Sequence, residues 1–281
     1  MAQASPALDR EFSASPHVMS CQEIWGGNQA ADDAVSIPGL DAWVLSRPFA
    51  GDPRGGDIHY VSLCGKALLS RYVLADVSGH GASVDDLASR LWQLMRESMN
   101  EPSVAGLMRG VNDAFHAEGT DSGRFATALV ASYIAHERRL VLANAGHPPP
   151  LWYRAAEGRW QWLQQDEPDC HSLPVNLPLG VLPGTDYCQL EVVLETGDLV
   201  LMFTDSMIEA ADRNGRQIGA DGLLARAADL CPQNPEGFRD RLVNSVGEHR
   251  GGREPDDDLT VLMLRHNGMV PAMPPEPASA T

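Results

Sequence analysis

The chain has 281 residues, 43% of them apolar, and its 38 acidic against 21 basic side chains give a formal net charge of −17. This length is long for one domain and short for two ordinary ones, and so negative a surface repels nucleic-acid phosphates, which argues against a nucleic-acid partner. The five cysteines are widely spaced, so we expect reduced thiols in a cytoplasmic protein rather than a disulfide framework or zinc site. The N-terminal residues have neither a basic start nor an apolar run, so no signal peptide is expected, and the apolar stretches are too short to span a bilayer, so no membrane partner is expected.

The two ends of the chain lack a clear hydrophobic period. Residues 1–38, rich in Ala, Ser and Gln, are interpreted as an N-terminal tail or regulatory segment. Residues 269–281 are proline-rich and are predicted to form a disordered C-terminal tail. Residues 39–268 contain neither a repeat nor a linker and are predicted to form one domain.

The first half of this domain begins with strands and continues with helices. The predicted strands cover 42–46, 58–63 and 69–75. Apolar residues at helical spacing then predict helices over 84–95 and 104–115, with Ser83 and Ser103 as N-caps.

Strands return in the second half. A hairpin is predicted from strands 126–134 and 140–144, and further strands cover 150–153, 160–163, 187–194 and 199–204. Helices follow over 221–230 and 236–249, the second opened by Asn234 and Pro235, and a last strand covers 259–265. Elements grouped in blocks indicate stacked sheets with helices outside them.

An Asp stands at or just beyond an end of several predicted strands: Asp57, Asp76, Asp205 and one member of the Asp256-Asp257-Asp258 triplet. One such Asp is usually a turn or cap residue, so the combination carries the argument. Carboxylate oxygens without nitrogen or sulfur ligands suit Mg²⁺ or Mn²⁺, which would also offset the repulsion between the carboxylates. Two such ions about 3.5–4 Å apart can turn a bound water into a nucleophile.

These segments resemble the motifs of the metal-dependent (type 2C, PPM) protein serine/threonine phosphatases, in their bacterial SpoIIE/RsbU-like branch. The matching segments are Gly55-Gly56-Asp57, Asp76 to Gly81, Asn144 to Pro149, Gly197 to Glu209 and Asp257 to Thr260. Each motif is a weak signal alone. Together they occur in the family's order over about residues 40–266.

The resemblance implies an α+β fold: a four-layer α/β/β/α sandwich of two mainly antiparallel sheets flanked by helices. It also implies that two divalent cations, Mn²⁺ or Mg²⁺, are held by Asp57, Asp76, Asp205 and Asp257 as the catalytic residues. Asp76 would bridge both ions, and the carbonyl of Val77 would be a further metal ligand. The family's spacing selects Asp257 from the acidic triplet.

The chain departs from the family pattern in three places. Ser206 replaces the usual Gly, and serine would be strained if that position needed a positive φ. Tyr60 stands where many relatives carry another Asp. Ser78 stands where eukaryotic relatives have a general-acid His, and His80 does not match that position.

Two further residues near the motifs have competing interpretations. Arg54 lies three residues before Asp57 and could clamp the substrate phosphate, although an ordinary surface arginine fits its position equally well. His147, in a proline-rich turn, is expected to pack and hydrogen-bond rather than to react.

The implied function is hydrolysis of phosphoserine or phosphothreonine on a partner protein in bacterial signalling. By resemblance, the substrate could be an anti-sigma-factor antagonist, and a homodimer is compatible with the sequence. A protein substrate also agrees with segment 154–183, whose Trp160 and Trp162 predict a docking surface. The alternatives are a pseudophosphatase binding module, favoured by Ser206 and Tyr60, and a hydrolase of small phosphorylated metabolites.

Overall fold

The computed structural model describes residues 16–20, 22–64, 68–79, 82–119, 124–164 and 174–269. Most of the predicted C-terminal tail, the first fifteen residues of the predicted N-terminal tail, His80 and the side chain of the predicted cap Ser83 lie outside this description.

Two sheets form the centre of the molecule. The seven-stranded sheet has the order β1 (His17–Val18), β3 (Ala31–Ile37), β4 (Leu40–Arg47), β13 (Leu259–His266), β12 (Leu199–Phe203), β9 (Leu151–Arg154) and β10 (Arg159–Trp162). The six-stranded sheet has the order β11 (Gln189–Val193), β8 (Arg139–Ala145), β7 (Ala126–Ile134), β6 (Leu69–Val77), β5 (Arg54–Cys64) and β2 (Ile24–Gln29). Neighbouring strands are antiparallel, except that β1 and β3 are parallel.

Helices cover the outer face of each sheet. The six-stranded sheet packs against α1 (Ala82–Glu97) and α2 (Val104–Gly119), and the seven-stranded sheet packs against α3 (Ser206–Glu209), α4 (Gly219–Asp229) and α5 (Pro235–His249). A third apolar core lies between the sheets. The predicted four-layer α/β/β/α sandwich is therefore confirmed.

The helix starts follow the sequence. The Ser103 hydroxyl accepts a hydrogen bond from the Gly106 amide (3.1 Å), and the Asn234 side chain accepts one from the Gly237 amide (2.8 Å). Pro235 occupies the first turn of α5, where its missing N–H leaves no hydrogen bond unmade. The predicted caps Ser103 and Asn234 are thus confirmed.

The interpretation of residues 1–38 as a tail is wrong for residues 24–37. Strand β2 pairs with β5, and β3 pairs with β4 across the predicted boundary at residue 39. The alternating pattern of β2 is obscured by Gly26 and Gly27, both at positive φ, and by a register shift between Gly27 and Gln29. Glycines in a strand signal a bulge or a close approach rather than a strand.

Two further expectations are corrected by side-chain environment. Trp160 is buried and stacks on Phe238 at 4.9 Å, and the partly buried Trp162 packs near Phe203, so both contribute to the core beneath α5, contrary to the expectation that they stand exposed for docking. Residues 165–173 of the predicted docking segment lie outside the described ranges. Cys188 is disulfide-bonded, contrary to the expectation of reduced thiols. Within the described ranges, no helix has the length and hydropathy needed to span a membrane.

Candidate metal centre

The candidate site is built from two rows of polar side chains that face each other across the gap between the sheets. On β5, Val61 and Leu63 pack into the core between the sheets. Asp57 is an even number of residues away from both, so its side chain lies on the same face of the strand. Asp57 lies directly opposite Asp76 of β6, which lies opposite Thr127 of β7. Strand register therefore places these three side chains side by side on the inner face of the six-stranded sheet.

The facing row comes from the seven-stranded sheet. Ser46 of β4 lies opposite Thr260 of β13, and the Thr204 amide, just after β12, donates to the Thr260 carbonyl (3.0 Å). The Thr204 hydroxyl donates to Oδ2 of Asp57 (3.0 Å) and accepts from the Thr260 amide (3.0 Å). These bonds fix the orientation of the Asp57 carboxylate from the opposite sheet.

The predicted ligands share one electrostatic environment. Burial, followed by the charges of Asp205, Asp257, Asp258 and Glu209, raises the pKa of Asp76 from 3.8 to about 7. The pKa of Asp57 is raised well above its ordinary value, first by burial and then by the charges of Asp76 and Asp258. The pKa of Asp205 is raised as well, first by burial and then by Glu209. Carboxylates from four separated segments are thus brought together.

Asp258, which the family spacing did not select as a metal ligand, binds backbone amides instead. Its buried carboxylate accepts hydrogen bonds from the amides of Phe49 (2.6 Å), Gly56 (2.5 Å) and Asp57 (3.3 Å). A Cβ added to Gly55 would collide with this carboxylate, and one added to Gly56 would meet Val84 and the Val77 carbonyl. The glycine pair is needed because the Asp258 side chain and neighbouring strands approach so closely.

Ser206 is free of the strain that a positive φ would impose. It is the first residue of α3, and the positive-φ residues of the described chain do not include it. Its buried hydroxyl donates to the carbonyl of Asp258. The serine thus ties the turn that carries Asp205 to the segment that carries Asp257 and Asp258.

His147 links the two sheets beside the candidate site. Its Nε2 donates to the Phe203 carbonyl (3.1 Å), and its Nδ1 accepts from the Thr127 hydroxyl (2.8 Å). Asn144 fixes the turn, since its side chain bonds both the amide and the carbonyl of His147. Burial lowers the pKa of His147 to about 4, so the ring is neutral at physiological pH. The expectation that His147 packs and hydrogen-bonds is confirmed.

The remaining predicted residues occupy different environments. Arg54 has a largely exposed side chain at the start of β5, with a long contact of 4.0 Å to Asp85. Tyr60 points to the helix side with Ile58, on the opposite face of β5 from Asp57, so an acidic residue there would not face the inner row. The Ser78 hydroxyl accepts from the Phe125 amide (3.2 Å), which fixes the turn after Asp76.

The donor set fits a hard divalent cation. The raised pKa values of Asp57 and Asp76 show that their charges are costly here, and positive charge at this place would relieve that cost. All-oxygen donors are the kind that Mg²⁺ and Mn²⁺ take. Within the part of the chain that the structure describes, no three or more Asp, Glu, His or Cys side chains are already grouped so that they could hold a metal ion.

Sequence reasoning did not assign roles to Thr204, Thr260 and Asp258, and it did not identify the hydrogen-bond partners of His147. All four stand inside the motifs that pointed to the candidate ligands, which was the available signal. Their roles could not be inferred from the sequence, because each depends on contacts with a strand distant in the chain.

Known proteins resemble this chain in sequence and in fold. The family model of Stage II sporulation protein E (SpoIIE) matches residues 70–267. The phosphoserine phosphatase RsbU of Bacillus subtilis (strain 168) is 26% identical over 194 residues, which cover 68% of this chain and 54% of RsbU. The chain therefore spans about half the length of that curated relative.

Solved structures share the fold. The PP2C phosphatase domain and a regulatory fragment of SpoIIE from Bacillus subtilis superpose with a TM-score of 0.68 at 16% identity, over 87% of this chain and 70% of that one. The catalytic domain of the serine/threonine protein phosphatase PstP, solved with two manganese ions, gives a TM-score of 0.53 at 18% identity, over 80% of this chain and 97% of that one.

Proposed function

We propose, from the premise that this chain belongs to the Stage II sporulation protein E (SpoIIE) family, that it is a metal-dependent protein serine/threonine phosphatase of the type 2C class acting in bacterial signalling. The observation that carries the proposal is the convergence on Asp76 of charges from Asp205 and Asp257, with Asp57 directly opposite it in the sheet.

The acidic residues of the motifs would be the metal ligands. Asp57, Asp76, Asp205 and Asp257, with the Val77 carbonyl, would hold two divalent cations, Mn²⁺ or Mg²⁺. When bound, the cations would supply the positive charge that activates water for attack on phosphorus. Among the candidate triplet members, Asp258 is already engaged by three backbone amides, which supports Asp257 as the ligand.

The chain's own groups would prepare the site. Thr204 orients the Asp57 carboxylate across the gap between the sheets, and His147 fixes the spacing of the sheets beside it. Arg54 is exposed at the start of the strand that carries Asp57, which leaves its guanidinium able to bind two phosphate oxygens of the substrate.

A phosphorylated protein is the proposed substrate, and the family resemblance suggests an anti-sigma-factor antagonist. The net charge of −17 supports this choice, because it would repel small anionic metabolites and steer a partner with basic residues near its phosphosite. Because Trp160 is buried, support for a protein substrate comes from charge and from the family rather than from this tryptophan.

The test compares kcat/KM for a phosphoserine protein with that for a panel of sugar phosphates and nucleotides at one Mn²⁺ concentration. The phosphoprotein should be the better substrate, Asp205→Asn should lose turnover, and the matched variant of an exposed aspartate, Asp229→Asn, should keep it. A metabolite hydrolysed faster than every phosphoprotein would contradict the proposed substrate. A folded wild type that hydrolyses nothing in Mn²⁺ would favour the pseudophosphatase.

A further inference from the structure

A cleft of about 690 Å³ lies between the turn after β4 and the C-terminal end of α5. Three arginines, Arg47, Arg250 and Arg253, line it, together with Glu248 and Glu254. None of the proposed metal ligands lines it. An excess of basic groups is unusual in a chain whose net charge is −17, so the cleft differs in sign from the molecule as a whole.

Arg250 is the unusual group in this cleft. Its residue is only 5% exposed, yet its Nε has no hydrogen-bond partner, and the ion pairs found among the described residues do not include its guanidinium. Buried polar groups are nearly always hydrogen-bonded, and an unpaired buried charge is costly. A ligand in the cleft could complete the hydrogen bonds of this guanidinium.

Neighbouring charges surround Arg250 without pairing with it. Burial lowers its pKa; the carboxylates of Asp256 and Glu254 oppose that effect, and the nearby charges of Arg253 and Arg47 add to it. The guanidinium of Arg253 is already engaged, since it donates to the carbonyls of Ala211 (2.8 Å) and Asp212 (3.2 Å). Arg47, on the exposed rim, is the second cation able to turn toward a ligand.

Two walls of the cleft are connected to the candidate metal centre through Asp258 and the acidic triplet. Phe49 lines one wall and donates its amide to Asp258 (2.6 Å). The opposite wall includes Glu254 and Pro255, which directly precede the acidic triplet. The cleft therefore contains none of the proposed ligands, but its lining is continuous in the chain with the segment that carries Asp257 and Asp258.

We propose that this cleft is an anion site that binds a phosphate-type dianion, free or carried on a small molecule, through Arg250 with Arg47 beside it. The planar guanidinium fork matches two oxygens of such a group, and a charge-assisted pair of this kind is about twice as strong as a neutral hydrogen bond. The volume is within the range of small-molecule sites.

The test uses the full chain stripped of metal, so that phosphate has no cation to bind at the carboxylate site. Inorganic phosphate and adenosine monophosphate are titrated in turn by calorimetry at constant ionic strength, with chloride as the control anion. We expect saturable binding by the wild type and a weakening of about tenfold or more in Arg250→Met. The matched variant Arg241→Met, in α5 just before Arg250 in the chain but outside the cleft, should bind as the wild type does.

The two probes separate the sources of the dianion. Tighter binding of the nucleotide assigns the cleft to a phosphorylated small molecule, and equal binding assigns it to free phosphate. If Arg250→Met does not fold, Arg47→Met, on the exposed rim, should weaken binding several-fold. The proposal is overturned if the wild type shows no saturable binding, or if the folded cleft variants bind phosphate as tightly as the wild type. Because no turnover is measured, failure here leaves the proposed phosphatase activity untouched.

Discussion

The carboxylate of Asp258 occupies the space that any side chain at position 55 would need. A Cβ built on Gly55 would collide with both carboxylate oxygens of Asp258, which also accept hydrogen bonds from the Phe49 and Gly56 amides. This contact explains the first Gly of the Gly-Gly-Asp motif by packing, because the φ angle of Gly55 is not in the positive range. The beginning of β5 and the beginning of β13 are thereby held together beside Asp57.

The first prediction follows from this contact. Gly55→Ala should lower the free energy of unfolding by about 1–3 kcal/mol, because the Asp258 carboxylate must move and its hydrogen bonds must weaken. Urea denaturation measures the change. Gly110→Ala in α2 is the control, since an added Cβ there meets nothing within 4 Å and alanine favours the helix. Equal stability of Gly55→Ala and the wild type would show that the contact is not restrictive.

A second prediction concerns the pH dependence of the metal-free protein. The pKa of Asp76 is raised from 3.8 to about 7, so the folded state holds a proton that the unfolded state has lost between these values. Stability from this group is therefore present below about pH 4 and falls as pH rises toward 7. Asp76→Asn removes the effect. Relative to the wild type, the variant should become more stable with rising pH, as thermal or urea unfolding would show. A pH-independent difference would mean that Asp76 is not buried among like charges.

Ser206 is the subject of a third prediction. Ser206→Gly should lose about 0.5–1.5 kcal/mol of stability with the hydrogen bond to Asp258, while turnover stays equal or rises, since glycine is the family's usual residue. Ser206→Ala removes the hydroxyl without adding the backbone freedom of glycine, so it separates the two effects on stability. Parallel unfolding and phosphate-release assays check both parts. If the wild type is inactive and the glycine variant is active, the native chain is a pseudophosphatase.

The fourth prediction concerns His147. His147→Phe should lower stability by about 1–3 kcal/mol for each buried partner left unpaired, here the Thr127 hydroxyl and the Phe203 carbonyl. The pKa of His147 is lowered from 6.5 to about 4, so its contribution is present above about pH 6.5 and is lost as pH falls toward 4. The difference between wild type and variant should shrink over that range. The exposed His136→Gln should change stability little, and an undiminished difference at low pH would contradict a neutral buried His147.

Much of the fold could be predicted from the sequence, because long alternating or helical patterns such as 69–75 and 104–115 are strong local signals. Strand β2 was missed because Gly26-Gly27 and a register shift interrupt its pattern, and its pairing with β5 stabilises it instead. Trp160 was misjudged since its stacking on Phe238 joins segments far apart in the chain.

The sequence predicts which residue types form the candidate site, but only some of the contacts between them. The motifs pointed to Asp57 and Asp76, and register then places them opposite each other. The function of Asp258 as an acceptor of backbone amides could not be inferred, because a triplet of identical residues offers no local signal to separate its members. The role of Ser206 was likewise hidden, since its hydrogen-bond partner is the backbone of Asp258.

The central claim is tested most directly by phosphate release from a phosphoserine protein, measured while Mn²⁺ is titrated into the chelator-treated chain. Turnover should be absent without metal and should rise to saturation with Mn²⁺, and Asp76→Asn, folded by circular dichroism, should stay inactive at every concentration. Undiminished turnover in excess chelator, with metal content confirmed as nil, would contradict the account. So would a near-native rate in Asp76→Asn.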